Sequence, residues 1–88
     1  MKIKIDASLK KDTDKIKDKK LLRKLASVIE RIEKTQELSQ IANCKKLNET
    51  KNAFRVRIGE YRLAFYFKDN TVIFVRFLHR KDIYRKFP

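Results

Sequence analysis

The sequence is poor in residues that interrupt a chain, cross-link it or bind metal. One glycine, Gly59, and one proline, Pro88, stand among 88 residues. No flexible linker divides such a chain, so a single domain over residues 1–88 is expected. Cys44 is the one cysteine, which excludes an internal disulfide, and His79 is the one histidine. Together they are too few for a Cys/His zinc site. Apolar runs never exceed a handful of residues, too short to span a membrane. Lys2-Ile3-Lys4-Ile5 alternates where a secretion signal needs a continuous apolar stretch. The chain is therefore expected in the cytoplasm, without metal or other cofactor and without a membrane partner. Acidic residues are also scarce: 11 Asp and Glu face 24 Lys and Arg, a formal charge of +13.

Apolar side chains are plentiful by contrast, at 42% of the sequence, and all nine Phe and Tyr lie between Phe54 and Phe87. That is too much hydrophobe for a disordered basic tail. Self-repulsion at +13 is tolerated most easily when the partner is a polyanion. The cations also change in kind along the chain. Lysine dominates the first half, whereas from Arg55 to Arg85 every basic residue except Lys68 and Lys81 is arginine. The planar guanidinium fork suits bidentate phosphate contact, which a lysine point charge does not match.

Periodicity predicts the elements. Lys2 to Asp6 alternates and reads as a short strand. Ser8 is a suitable N-cap for a first helix running to about Lys17, with Leu9 and Ile16 facing inward. Asp18 caps a second helix from Lys19 to about Lys34, where Leu21, Leu22, Leu25, Val28, Ile29 and Ile32 form one apolar stripe. A short further turn is expected around Leu38 to Ala42, then a polar loop at Asn48-Glu49-Thr50-Lys51-Asn52. From Phe54 the period becomes two. Phe54, Val56 and Ile58 share one strand face and Arg55 and Arg57 the other. Gly59-Glu60 fits a two-residue hairpin, which sets Arg57 across from Arg62 and puts Leu63, Phe65 and Phe67 on the apolar side. At Asp69-Asn70 a two-residue loop would turn Arg76 inward, whereas a three-residue loop buries Ile73, Val75 and Phe77. The second is expected, because a buried unpaired arginine costs several kcal/mol. The fold class is then α+β, with two N-terminal helices packed on one face of a small, mainly antiparallel four-stranded sheet.

In that register Arg55, Arg57, Arg62 and Arg76 project from the face away from the helices, with Arg80 just beyond. Like charges about 5–6 Å apart repel by roughly 1 kcal/mol in water and about 3 at an effective dielectric near 20. Glu60, Asp69 and Asp82 are the only acids nearby in sequence, too few to neutralise them all. A bound anion accounts for the cluster. The segment His79-Arg80-Lys81-Asp82-Ile83-Tyr84-Arg85 adds His79 as a candidate acid or base. Tyr84 can stack on a base or move a proton, and Lys81 and Arg85 add phosphate-binding charge. Arginine stays protonated and cannot be the base.

Phe54-Arg55-Val56-Arg57-Ile58-Gly59-Glu60-Tyr61-Arg62, followed by a hairpin and His79-Arg80-Lys81-Asp82-Ile83-Tyr84, resembles the RelE/ParE superfamily of bacterial toxin–antitoxin toxins. The resemblance covers the whole chain in length and element order and is most specific over residues 54–85. It implies the compact α+β fold and an antitoxin that neutralises this chain by tight binding. In the RelE-like branch it implies metal-independent cleavage of mRNA, typically on the ribosome, and hence inhibition of translation. The matching positions are Arg55 and Arg57 on the strand before the hairpin, Arg62 of the Tyr-Arg step, Arg80 before the tail, Tyr84 in the tail, and His79, which only some relatives carry. The expected catalytic set is Arg62, His79, Arg80 and Tyr84. Arg55, Arg57, Arg76, Lys81 and Arg85 are expected to bind the RNA. How proton transfer divides between His79 and Tyr84 is open. ParE-like members share the fold and poison DNA gyrase, so a non-enzymatic gyrase inhibitor, a catalytically attenuated member and a plain nucleic-acid binder are the alternatives.

Overall fold

The structure, a computed structural model, describes residues 1–47 and 52–87. In chain order it contains β1 (Lys2–Ile5), α1 (Ala7–Asp14), α2 (Lys19–Lys34), a 3₁₀ turn (Leu38–Gln40), β2 (Cys44–Lys46), β3 (Ala53–Ile58), β4 (Tyr61–Lys68), β5 (Thr71–His79) and α3 (Ile83–Lys86). The strands form one sheet in the order β1-β5-β4-β3-β2. Among the described strands only the β1–β5 pair is parallel. The expected α+β fold is present, but with five strands in place of four. The addition is β2, which pairs Cys44, Lys45 and Lys46 with Val56, Arg55 and Phe54. Three residues are too few for alternation to declare itself, and this strand exists because β3 offers it an open edge. Of the expected polar loop, Asn48 to Lys51 lies outside the described residues.

α2 forms as its stripe dictates: Leu25 and Ile32 are buried, and the Asp18 carboxylate accepts the backbone N–H of Lys20 and Leu21 at 3.0 and 3.2 Å. α1 starts earlier and stops sooner than the sequence suggested. Asp6, not Ser8, is its N-cap, accepting the Ser8 N–H at 3.0 Å, and the helix ends at Asp14. The Ser8 hydroxyl is drawn to the Val75 carbonyl of β5, because α1 runs along the edge of that strand where β1 stops.

The main core lies between the helices and the sheet, where Leu9, Leu25 and Ile32 meet Val56, Leu63, Phe65, Val72, Phe74 and Phe77. A second cluster occupies part of the opposite face, where Ile83 and Phe87 of the C-terminal segment cover Leu47, Ala53 and Ala64. The Phe87 ring sits 5.0 Å from that of Tyr66. The face expected to carry the arginines is therefore shared: one part is packed under α3 and the other is cationic.

The first hairpin has the expected register, with Ile58 paired to Tyr61 and Arg57 to Arg62. Gly59 adopts φ 59°, and an added Cβ would meet nothing within 4 Å. The cost of substitution there is backbone strain alone. Gly59→Ala should lower stability by about 1–2 kcal/mol in urea denaturation, and Gly59→Asn by less.

The second hairpin corrects the sequence reading. Asp69 and Asn70 both have positive φ, 52° and 57°, and Lys68 pairs directly with Thr71, so the loop has two residues. Val72 and Phe74 are consequently buried on the helix side, not Ile73 and Val75. The register then shifts: Phe65 pairs with Phe74, but Ala64 pairs with Arg76, leaving Val75 as a bulge. The extra residue restores parity and returns Phe77 to the core. The requirement that Arg76 not be buried unpaired is met by a bulge and by a partner on α1. Asp12, whose side chain is 4% exposed, takes the guanidinium of Arg76 in a fork at 2.8 and 2.9 Å and also accepts the Phe77 N–H at 2.9 Å.

Candidate functional site

The cationic part of the second face is assembled by strand register. Lys45 lies across from Arg55, Arg55 across from Ala64, Arg57 across from Arg62, and Arg62 across from Leu78. Cross-strand partners share a face, so β2, β3 and β4 together present Lys45, Arg55, Arg57 and Arg62. Lys45 was not among the expected residues; no three-residue signal marks its strand, and only pairing with Arg55 brings it to the site. An open cleft of about 280 Å³ is lined by Asn43, Cys44, Lys45, Arg55 and Arg57. Inside this group the Arg55 Nε is buried without a hydrogen-bond partner among the described residues.

Arg62 is the centre of the arrangement. Its Nη1 donates to the carbonyls of Gly59 and Tyr61, both at 2.9 Å, which fixes the guanidinium over its own hairpin. Burial, then the charge of Arg55, and to a smaller degree those of Arg57 and Arg80, push its pKa down from the ordinary arginine value. Tyr84 acts in the opposite direction. Strand and tail residues thus converge electrostatically on one guanidinium, which still keeps its proton at neutral pH. Next to this group, burial raises the pKa of the Cys44 thiol, with Arg55 opposing.

The tail supplies two members. The Arg80 backbone N–H donates to the Glu60 carbonyl at 2.8 Å, and its Nε meets the Glu60 carboxylate at 2.8 Å. Both side chains are more than half exposed, 56% and 65%. An exposed pair of this kind is worth about 0–1 kcal/mol, so it parks Arg80 without holding it. Tyr84 is 64% exposed. Arg85 pairs with Asp82 at 2.6 Å on the surface, and Lys81 is exposed beyond the strand end.

Two expected members are not brought to this group. Arg76 is clasped by Asp12 on α1. His79 lies across from Tyr61, whose ring it meets edge-on at 5.6 Å, and Tyr61 packs on Phe77 at 5.1 Å. Both rings thus lie on the helix side of the sheet, the opposite face from Arg62. The Nδ1 of His79 accepts the Lys81 N–H at 3.1 Å. Strand parity decides this: His79 is three residues after the outward-reaching Arg76, and the intervening Phe77 belongs to the core.

Among the described residues no group of three His, Cys, Asp or Glu is placed to hold a metal ion. No described helix is long and apolar enough to cross a membrane. What the arrangement can do chemically is bind a phosphate from several sides and stabilise additional negative charge on it.

Comparison with known proteins identifies the fold and the family. Residues 3–84 match the family described as ParE toxin of type II toxin-antitoxin system, parDE. Toxin RelE3 of Methanocaldococcus jannaschii is 34% identical over 67 residues, 75% of this chain and 76% of that protein. The toxin in the RelB–RelE antitoxin–toxin complex from Methanococcus jannaschii superposes with a TM-score of 0.81 at 28% identity, covering 97% of this chain and 99% of that one. The YoeB dimer from Staphylococcus aureus shares the fold, with a TM-score of 0.73 at 20% identity over 91% of this chain and 97% of that one. With its five-stranded sheet, its two-helix cover and a family match over nearly its whole length, the chain belongs to the ParE toxin family of type II toxin–antitoxin systems, within the RelE/ParE superfamily.

Proposed function

We propose that this toxin is a metal-independent mRNA endoribonuclease that acts on translating ribosomes and is neutralised by a cognate antitoxin. The observation that carries the reading is the strand register that sets Arg57 across from the half-buried Arg62, with Arg55 and Lys45 paired on the same sheet face and Arg80 tied to Glu60 of the same hairpin. In the reaction the ribose 2′-hydroxyl attacks the adjacent phosphorus and loses its proton. The bond to the 5′-oxygen breaks and that oxygen gains a proton, leaving a 2′,3′-cyclic phosphate and a 5′-hydroxyl. Arg62 and Arg80 neutralise the phosphorane, Arg80 by leaving its exposed pairing with Glu60. Arg55 and Arg57, with Lys45, position the backbone, and Lys81 and Arg85 extend the charge along the tail. Tyr84 stacks on a base or carries a proton. Arginine cannot do the latter. The RelB–RelE complex among the similar structures supports an antitoxin as partner.

Because His79 shares its face with Tyr61 and the core, His79→Ala should reduce cleavage less than tenfold, a smaller loss than removing a first-line phosphate contact. Single-turnover rates on an RNA substrate test this. DNA, lacking the 2′-hydroxyl, should be bound and left intact.

The deciding experiment is induced expression followed by mapping of message 5′ ends. Clustered cuts bearing 5′-hydroxyls support the nuclease. The match to a ParE family and the separation of His79 from the arginines favour one second reading, a non-enzymatic gyrase inhibitor. Growth arrest with intact messages and loss of supercoiling activity would establish that reading instead.

A further inference from the structure

A second cavity, of about 370 Å³, lies between the C-terminal half of α2, the turn leading into β2, and β3. The phosphate chemistry above does not use it. Its floor is apolar: Val28 and Ile32 of α2 meet Ile41 and Val56, and Ile32 and Val56 are each 2% exposed. Its rim carries Arg31, Lys34 and Arg57 together with the amides of Gln40 and Asn43, and no carboxylate is among its described lining residues.

The backbone of Asn43 and the side chain of Gln40 are held in place. Asn43 sits in the left-handed region at φ 59°, and its carbonyl accepts the Arg57 N–H at 3.1 Å. The side-chain oxygen of Gln40 accepts the N–H groups of Gln36 and Glu37 at 3.2 and 3.3 Å, which leaves its NH₂ group as a donor. Arg57 belongs to both places: it lines this cavity and stands across from Arg62. Arg57 is thus the link between the two places.

Size and chemistry choose the occupant. The volume falls at the lower end of small-ligand sites, about 300–1,000 Å³. A docked protein segment would need roughly 1,200 Å² of buried surface, which a cavity this small does not supply. An apolar floor, the Gln40 and Asn43 amides, and a cationic rim in which Lys34 pairs with Glu30 at 3.1 Å while Arg31 and Arg57 face no carboxylate of the described lining suit a flat, hydrogen-bonding, anionic group. Amide side chains pair naturally with base edges. We propose that the cavity takes one base of the RNA beside the phosphate held at Arg62, and that Asn43 and Gln40 read its edge. This assignment rests on the nuclease reading.

The test titrates the full chain with each nucleoside 5′-monophosphate, and with inorganic phosphate for comparison, while following backbone amide NMR signals. Saturable shifts at Ile41, Ala42, Asn43 and Val56 are expected for at least one base and not for inorganic phosphate. Ala42→Phe, placed on the exposed wall of the cavity, should abolish them without changing the unfolding midpoint. On RNA randomised around the cut, Asn43→Ala should flatten the base preference at one flanking position by about tenfold, read as the ratio of cuts beside preferred and other bases. An unchanged preference, shifts confined to the arginine face, or shifts reproduced by inorganic phosphate alone would overturn the assignment. So would a response to an acidic peptide and to no nucleotide, which would give the cavity to a protein partner. If wild-type protein cuts no RNA, the nuclease reading fails, and the monophosphate titration still decides the cavity.

Discussion

Arg62→Ala should cut RNA about a hundred- to a thousandfold more slowly than wild type, at nearly unchanged stability. The first part follows from the place of Arg62 at the focus of the cationic face, where a preorganised donor aimed at developing charge contributes roughly 3–4 kcal/mol to the transition state. The second follows from two opposing effects. The guanidinium donates to the Gly59 and Tyr61 carbonyls, and losing such bonds at a partly exposed turn costs on the order of 1 kcal/mol. The same side chain is repelled by Arg55, Arg57 and Arg80 and is partly desolvated, so its removal relieves the folded state. Single-turnover cleavage and urea denaturation measured on the same preparation separate the two effects. Arg62→Lys should recover little, since a point charge does not reproduce the fork. A folded Arg62→Ala protein that still arrests growth fully would remove Arg62 from the mechanism.

Asp12→Ala should be the most destabilising polar substitution in the chain, by about 3–5 kcal/mol. One carboxylate, 4% exposed, satisfies the fork of Arg76 and the backbone N–H of Phe77, a residue that is itself 1% exposed. Removing it strands a guanidinium that is only 26% exposed and a buried N–H, and it cuts the tie between α1 and the bulged part of β5. For a domain of this size that loss corresponds to a fall in Tm on the order of 15–25 °C. Adding Arg76→Met to Asp12→Ala should restore about 1 kcal/mol or more, because the stranded charge is gone. Thermal and urea unfolding of the two single variants and the double variant give the coupling directly. A loss below about 1 kcal/mol for Asp12→Ala would mean that the clasp is not structural.

The cationic face was legible to the extent that it rests on one hairpin. Alternation across Phe54 to Ile58, one glycine at the turn and alternation again from Tyr61 are enough to oppose Arg57 and Arg62. Alternation does not set the parity of the next strand. Loop length alone does not control parity along β5, because the bulge at Val75 changes it midway. Avoidance of a buried unpaired arginine was a sound constraint, but its solution lay 64 residues away, on Asp12. Lys45 was invisible because its strand is three residues long. His79 is next to Arg80 in sequence, yet it ends β5 on the helix side, against Tyr61, while Arg80 lies beyond the strand and is tied to Glu60.

From its residues alone the chain determined α2, the first hairpin, the α+β class and the surplus of arginine over acid near the C-terminus. Each depends on periodicity or turn geometry within a few positions. Tertiary structure decided which edge accepted β2, where β5 bulged, which carboxylate answered Arg76, and how much of the second face α3 covered. Those outcomes depend on which strand edges and side-chain charges remain unsatisfied once distant segments have packed, and no local pattern encodes that.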